Sequence, residues 1–156
     1  NGYMLNASVR DKDGVMAAVA IAEIAALSKS KGLTLIDQLD SLHKLYGYAS
    51  EKSICIEGAG VGDKFMEYLR SLNGTLGEPG TELGILDVRN YADYMPESNV
   101  LLYELNGLDW IAFRPSGTEP KFKIYYGFYG TESAAESRLE RISKAVVAEI
   151  NKYKEN

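Results

Sequence analysis

The run from Val100 to Phe128 constrains the fold of this chain more than any other stretch. Val100–Leu105 reads as a strand. Asn106-Gly107 is the pair that two-residue hairpin turns prefer, because both central positions need positive φ. Leu108–Phe113 then returns antiparallel and delivers Arg114 to a strand end. After the segment Arg114-Pro115-Ser116-Gly117-Thr118-Glu119-Pro120-Lys121, the residues Phe122, Ile124, Tyr126 and Phe128 share one face, with Lys121, Lys123 and Tyr125 opposite. Successive strands with one apolar face each demand a sheet that buries that face under something else.

The segment between the last two strands suits a phosphate dianion. Arg114 offers a planar fork of donors that matches phosphate oxygens, and Lys121 offers a compact second charge. Ser116 and Thr118 add hydroxyl donors. Gly117 lets the backbone turn and present successive N–H groups to one anion. Pro115 and Pro120 stiffen the flanks, so less entropy is lost on binding. The same residue types also make an ordinary surface turn, and Glu119 places a negative charge where an anion site would not want one.

The helices covering the sheet are legible elsewhere. Asp63 is positioned to cap a helix with Phe65, Met66, Leu69 and Leu72 on one face. A long amphipathic helix from Glu132 to Tyr153, entered through Thr131 and Ser133, presents Ala135, Leu139, Ile142, Val146, Ile150 and Tyr153 as its core stripe. A further strand, Lys52–Glu57, alternates with Ile54 and Ile56 on one face, leaving Cys55 as inert packing on the other. Ile85–Tyr91 reads as a strand after a polar loop over Thr75–Gly84. The order strand, helix, strand, hairpin, strand, helix implies a two-layer α/β (α+β) domain with a mixed or antiparallel sheet. Gly58-Ala59-Gly60-Val61-Gly62 follows a strand and precedes a helix, but its spacing is wrong for a dinucleotide fingerprint. It reads as a flexible turn.

The first third of the chain is helical. Asp11 or Asp13 caps a helix whose residues Val15–Leu27 are nearly all apolar, the pattern of a helix buried on more than one side. Where covering is missing, Val15, Val19, Ile21 and Ile24 would be partly exposed. Thr34 with Asp37 opens a second helix, carrying Leu35, Leu39, Leu42 and Tyr46 at helical spacing and ending at Gly47. His43 lies between apolar positions there and reads as structural or exposed. Tyr48–Lys52 has no apolar pattern and reads as a linker, dividing residues 1–47 from 53–156.

Composition excludes several classes. The chain has 156 residues, 46% of them hydrophobic and 25% charged, with a net charge of −5 and a pI near 5.0. An acidic balance argues against a nucleic-acid or membrane-surface footprint, although a phosphate site needs only a few cations. Cys55 is the sole cysteine, so no intrachain disulfide forms and a cytoplasmic setting fits. One cysteine and one histidine do not make a usual zinc set.

Arg114–Lys121 resembles the C-terminal phosphate-binding loop of the α-D-phosphohexomutases, in their phosphoglucomutase/phosphomannomutase branch. Val9-Arg10-Asp11-Lys12-Asp13-Gly14 is similar to the segment after the sugar-recognition loop of that family's third domain. Pro96-Glu97-Ser98-Asn99-Val100-Leu101 is similar to the approach to the fourth domain's hairpin. The resemblance implies a C-terminal fragment: residues 1–47 as the helical tail of the α/β third domain, 48–52 as a hinge, and 53–156 as a TATA-box-binding-protein-like fourth domain. It also implies an enzyme interconverting hexose 1-phosphate and 6-phosphate through a hexose 1,6-bisphosphate. The nucleophile and the magnesium site would lie in domains absent from this chain, with no cofactor held by the fragment itself. Arg114, Ser116, Gly117, Thr118 and Lys121 would then grip the substrate's non-transferred phosphate, with Arg10 and Lys12 as substrate-facing candidates. In some branches a second cation follows the loop on the next strand; here that strand carries Lys121, Lys123 and Tyr125. The implied partners are a hexose phosphate and the enzyme's own upstream domains, with no nucleic acid and no membrane. A stand-alone sugar-phosphate or anion-binding module is the alternative.

Overall fold

The computed structural model describes residues 3–5, 10–58, 60–72, 84–88, 97–105 and 107–153. The elements are α1 (Gly14–Ser30), α2 (Leu35–Tyr46), β1 (Tyr48–Glu57), α3 (Val61–Ser71), β2 (Gly84–Asp87), β3 (Leu101–Glu104), β4 (Trp110–Pro115), β5 (Lys121–Gly130) and α4 (Glu132–Asn151). They divide into two units, Asn1–Gly47 and Tyr48–Asn156.

In the second unit the five strands form one sheet in the order β1-β5-β4-β3-β2, every neighbouring pair antiparallel. α4 packs on β1 and β5, and α3 on β4 and β5. The result is a two-layer α+β arrangement, as the sequence pattern implies, with the sheet wholly antiparallel. Its core is the apolar face of the last two strands: Ile111, Phe113, Phe122, Ile124, Tyr126 and Phe128 are all buried. Ala135, Leu139, Val146 and Ile150 of α4 and Phe65, Met66 and Leu69 of α3 close over them. The Phe65 ring stands 5.9 Å from Phe122 and 6.0 Å from Phe113, and Phe113 stacks on Phe122 at 6.2 Å. Aromatic pairs at such separations contribute beyond their buried area.

The glycine run has structural roles. Gly60 takes a left-handed conformation (φ 74°) and occupies the N-cap of α3, so the helix starts at Val61 rather than at a cap formed by Asp63. Asp63 lies in the first turn, where a carboxylate suits the helix dipole. A Cβ on Gly62 would stand 3.0 Å from the Phe122 ring, so glycine there permits α3 to approach β5 closely.

Tyr48–Lys52, expected as a linker, is instead the first half of β1, paired from Tyr48↔Gly130 to Lys52↔Tyr126. Backbone pairing with β5 holds this segment although its side chains do not alternate in polarity. What separates α2 from β1 is Gly47 alone, with φ 89° and ψ 161°, a conformation that favours glycine. The hairpin also differs from the two-residue turn. Leu105 N–H donates to the Asp109 carbonyl at 2.8 Å, which leaves three residues in the turn, with Gly107 at φ 81°. Asp109 is held there by its carboxylate, which accepts from Tyr129 N–H at 2.7 Å and from Arg138 at 2.8 and 3.2 Å. Of the strand expected over Ile85–Tyr91, residues 85–87 lie in β2 and Val88 is outside it; residues 73–83 and 89–96 lie outside the described set.

In the first unit, Asp13 caps α1 by accepting from Val15 and Met16 N–H at 2.8 and 3.3 Å. Thr34 and Asp37 form the reciprocal capping box of α2. The expected exposure on α1 is present: Val15 is 76% exposed, Val19 63%, Ile21 53% and Ile24 46%. Among the described residues no helix is long and apolar enough to cross a membrane.

Two measurements check this core. The Tyr126 hydroxyl is buried with no hydrogen-bond partner among the described residues. Tyr126→Phe should therefore leave stability to urea unchanged or raise it by about 1 kcal/mol, and a clear loss would show that the hydroxyl is satisfied. Burial also raises the pKa of Tyr126, and that of Tyr103 to about 12, from the ordinary 10.0. Below pH 10 both phenols are neutral in folded and unfolded chains and their contribution is complete. Above it the unfolded chain ionises first, so stability should fall as pH rises from 10 towards 12, followed by denaturant titration at each pH.

Candidate phosphate site

The site begins with strand parity. On β4, Ile111 and Phe113 point into the core, so Ala112 and Arg114 point to the face opposite α3 and α4. On β5, Phe122 and Ile124 are buried, so Lys121 and Lys123 share the face opposite α3 and α4. The register sets Arg114 directly opposite Lys123 and Pro115 opposite Phe122. On the other side of β5, Cys55 of β1 stands opposite Lys123, and Glu57 opposite Lys121. Cys55 is exposed on this face rather than packed. Like charges directly opposite one another in a sheet are destabilising, so the Arg114–Lys123 pair is not there for the fold's own benefit.

Backbone hydrogen bonds fix the loop above this pair at its base. Ser116 N–H donates to the Lys121 carbonyl at 2.8 Å and closes the neck. Gly58 N–H, just past β1, donates to the Pro120 carbonyl at 3.0 Å and ties the loop to the neighbouring strand end. Lys121 N–H donates to the Glu119 carbonyl at 2.7 Å, a three-residue turn whose centre is Pro120. Its ring fixes φ near the value that turn needs. The N–H groups of Gly117, Thr118 and Glu119 have no acceptor among the described residues. Successive unspent N–H groups in a loop with a fixed base can serve an anion without the loop giving up any of its own hydrogen bonds.

Gly117 departs from expectation in an informative way. Its φ is not positive, and a Cβ there would meet nothing within 4 Å. Neither turn geometry nor internal packing requires glycine. What a missing side chain provides at this position is room outside the loop.

Glu119 is paired with Lys121. Its Oε1 lies 3.0 Å from the Lys121 ammonium, with the two side chains 51% and 32% exposed. The hydrogen bond to Glu119 raises the Lys121 pKa, so the ammonium stays charged but is already engaged. Arg114, Ser116, Gly117 and Thr118 thus come together in one loop, while Lys121 is shared with a carboxylate. Lys123, not singled out among the site residues from sequence, lies directly opposite Arg114 in the register. The signal was present in the parity of β4 and β5, but reading it required the register across the loop.

Arg10 and Lys12 belong to the first unit, where both are exposed ahead of α1. Lys12 engages its neighbour: its N–H donates to Asp11 Oδ1 at 2.7 Å, and its ammonium lies 3.7 Å from that oxygen.

No protein-family model matches the chain. It is 30% identical over 144 residues to a probable phosphomannomutase of Haemophilus influenzae, covering 88% of this chain and 28% of that protein. It is 35% identical over 143 residues to a phosphopentomutase of Pongo abelii, covering 80% of this chain and 23% of that protein. With the human glucose 1,6-bisphosphate synthase it shares 31% identity over 174 residues, 97% of this chain and 28% of the other. The chain thus spans between 23% and 28% of the length of these relatives. In fold it is similar to the exocytosis-sensitive phosphoprotein pp63/parafusin, a phosphoglucomutase from Paramecium. The TM-score is 0.67 at 18% identity, over 96% of this chain and 29% of that one. By sequence along most of its length and by fold, the chain belongs to the phosphoglucomutase/phosphomannomutase family of phosphohexomutases.

Proposed function

We propose that this chain is the phosphate-holding C-terminal part of an enzyme that interconverts hexose 1-phosphate and 6-phosphate. It would grip the phosphate that is not being transferred and close the active site over it. The observation that supports this reading is a juxtaposition at one end of the sheet face opposite α3 and α4. Arg114 and Lys123 stand opposite each other at the base of an anchored loop whose Gly117, Thr118 and Glu119 N–H groups have no acceptor among the described residues. The relatives' names include a phosphomannomutase, a phosphopentomutase and a glucose 1,6-bisphosphate synthase, and a phosphate on a sugar is common to all three.

In this reading the chain's contribution is positioning. The guanidinium of Arg114 takes two phosphate oxygens, the loop N–H groups and the Ser116 and Thr118 hydroxyls take others, and Lys123 supplies the second charge. Binding energy at this end of the substrate holds the reacting end in line. A loop that reads phosphate, rather than one end of a sugar, also accepts a bisphosphorylated intermediate in either orientation. The phosphoryl donor and the magnesium ion belong to other parts of the longer enzyme. Among the described residues no group of three or more His, Cys, Asp or Glu side chains is placed to hold a metal ion. Residues 1–47 would be the tail of the sugar-recognition domain, bringing Arg10 and Lys12 towards substrate.

Steady-state kinetics on the longer enzyme test this reading. Arg114→Ala should lower kcat/KM by about 10- to 100-fold with the fold intact, the loss of a charge-assisted hydrogen-bonding pair. Arg114→Lys should recover only part of that, since an ammonium cannot reproduce the fork. The 156-residue chain alone should show no turnover. A well-folded Arg114→Ala enzyme with near-normal kcat/KM would reduce the loop to a turn between strands.

Lys123 offers a second test with opposite signs. Lys123→Gln relieves the like-charge opposition to Arg114, so the melting temperature should stay level or rise. Affinity for inorganic phosphate should fall in the same variant. If both stability and affinity dropped, Lys123 would be a structural residue instead.

A further inference from the structure

The Glu119–Lys121 ion pair is unexplained by the roles given above. Lys121 opens β5 on the open face, one row beyond Arg114 and Lys123, and so borders any anion held by the loop. Two carboxylates face it: Glu119 at 3.0 Å, and Glu57 opposite it on β1. The Glu119 carbonyl also accepts from Lys121 N–H at 2.7 Å, so backbone and side chain together hold these two residues against each other. The fold's own requirements for the turn are met by that backbone bond and by Pro120. The side-chain pair adds little to stability, because an exposed ion pair is screened and loses side-chain entropy.

We propose that Glu119 is an internal competitor for the phosphate, occupying the Lys121 ammonium in the ligand-free loop and releasing it when a dianion binds. This rests on the phosphate reading and adds to it how firmly the site holds its ligand. Arg114, Lys121 and Lys123 offset by Glu57 and Glu119 leave one net positive charge around the loop. A dianion therefore binds with Lys121 only after displacing a carboxylate already on it. The exchange lowers affinity and provides a path for release, since Glu119 is present to take the ammonium back. A ligand that must leave or turn over between two transfers needs such a path; one held permanently does not.

A double-mutant cycle on the 156-residue chain separates this from simple electrostatics, with inorganic phosphate titrated by nuclear magnetic resonance at low salt. Glu119→Gln should tighten phosphate binding by about threefold, the scale of one exposed ion pair, and the gain should shrink as salt rises. In a Lys121→Ala background the same substitution should give no gain. Equal gains with and without Lys121 would mean that Glu119 acts only through its general field, and unchanged affinity in Glu119→Gln would mean that it does not compete at all. Either result overturns the proposal while leaving the phosphate site standing. Absence of binding in every variant, wild type included, removes the phosphate reading and this proposal with it.

Discussion

The stacking of Phe113 on Phe122 under Phe65 is the contact on which the rest of the second unit depends. One ring immediately precedes Arg114 and the other immediately follows Lys121, so the loop is clamped at both ends by buried aromatic side chains. Because strand side chains alternate with period two, burying Phe113 and Phe122 forces Arg114, Lys121 and Lys123 onto the opposite face. A slip of one residue would bring charges into the core and put aromatic rings in water. The same hydrophobic constraint that folds the domain therefore aims the cations.

Below that clamp the packing is cooperative in chain order. Gly62 brings α3 close enough for Phe65 to reach both rings, and the α4 stripe covers the remainder of β5 and β1. At the far end of β5, Asp109 ties the β3–β4 hairpin to Tyr129 and Arg138, which holds β4 from the end opposite the loop. The loop itself relies on backbone bonds at its neck and base, leaving its tip with donors that nothing within the described residues consumes. The sheet tolerates opposed cations at Arg114 and Lys123 and a Tyr126 hydroxyl with no partner among the described residues. The first of these lies at the proposed site and the second in the core, so only the first has a functional reading.

Much of this was legible in the sequence because the physics was local. The period-two faces of β4 and β5, the stripe of α4 and the caps at Asp13 and Thr34 depend on residues a few positions apart. The parts that were not legible depend on pairing across the sheet. Tyr48–Lys52 reads as a linker because Ala49, Ser50, Glu51 and Lys52 carry no alternation, yet β5 supplies a full ladder of backbone partners. The hairpin turn is one residue longer than Asn106-Gly107 suggests because Asp109 is anchored by residues far along the chain. At the candidate site, the loop residues, Glu119 included, were evident from composition, whereas the opposition of Lys123 to Arg114 needed the register and the pairing of Glu119 with Lys121 needed the side-chain geometry.

The proposed function makes the tip of the loop between β4 and β5 an anion cradle. The most direct measurement is the response of backbone amide resonances in the 156-residue chain as inorganic phosphate is added at constant ionic strength, with sulfate and chloride as comparisons. The amides of Gly117, Thr118 and Glu119 should shift together along one saturating curve. Those of Ser116 and Lys121, already committed to hydrogen bonds within the chain, should move less. Shifts scattered over exposed lysines without saturation, or a loop tip that does not respond while other regions do, would contradict it.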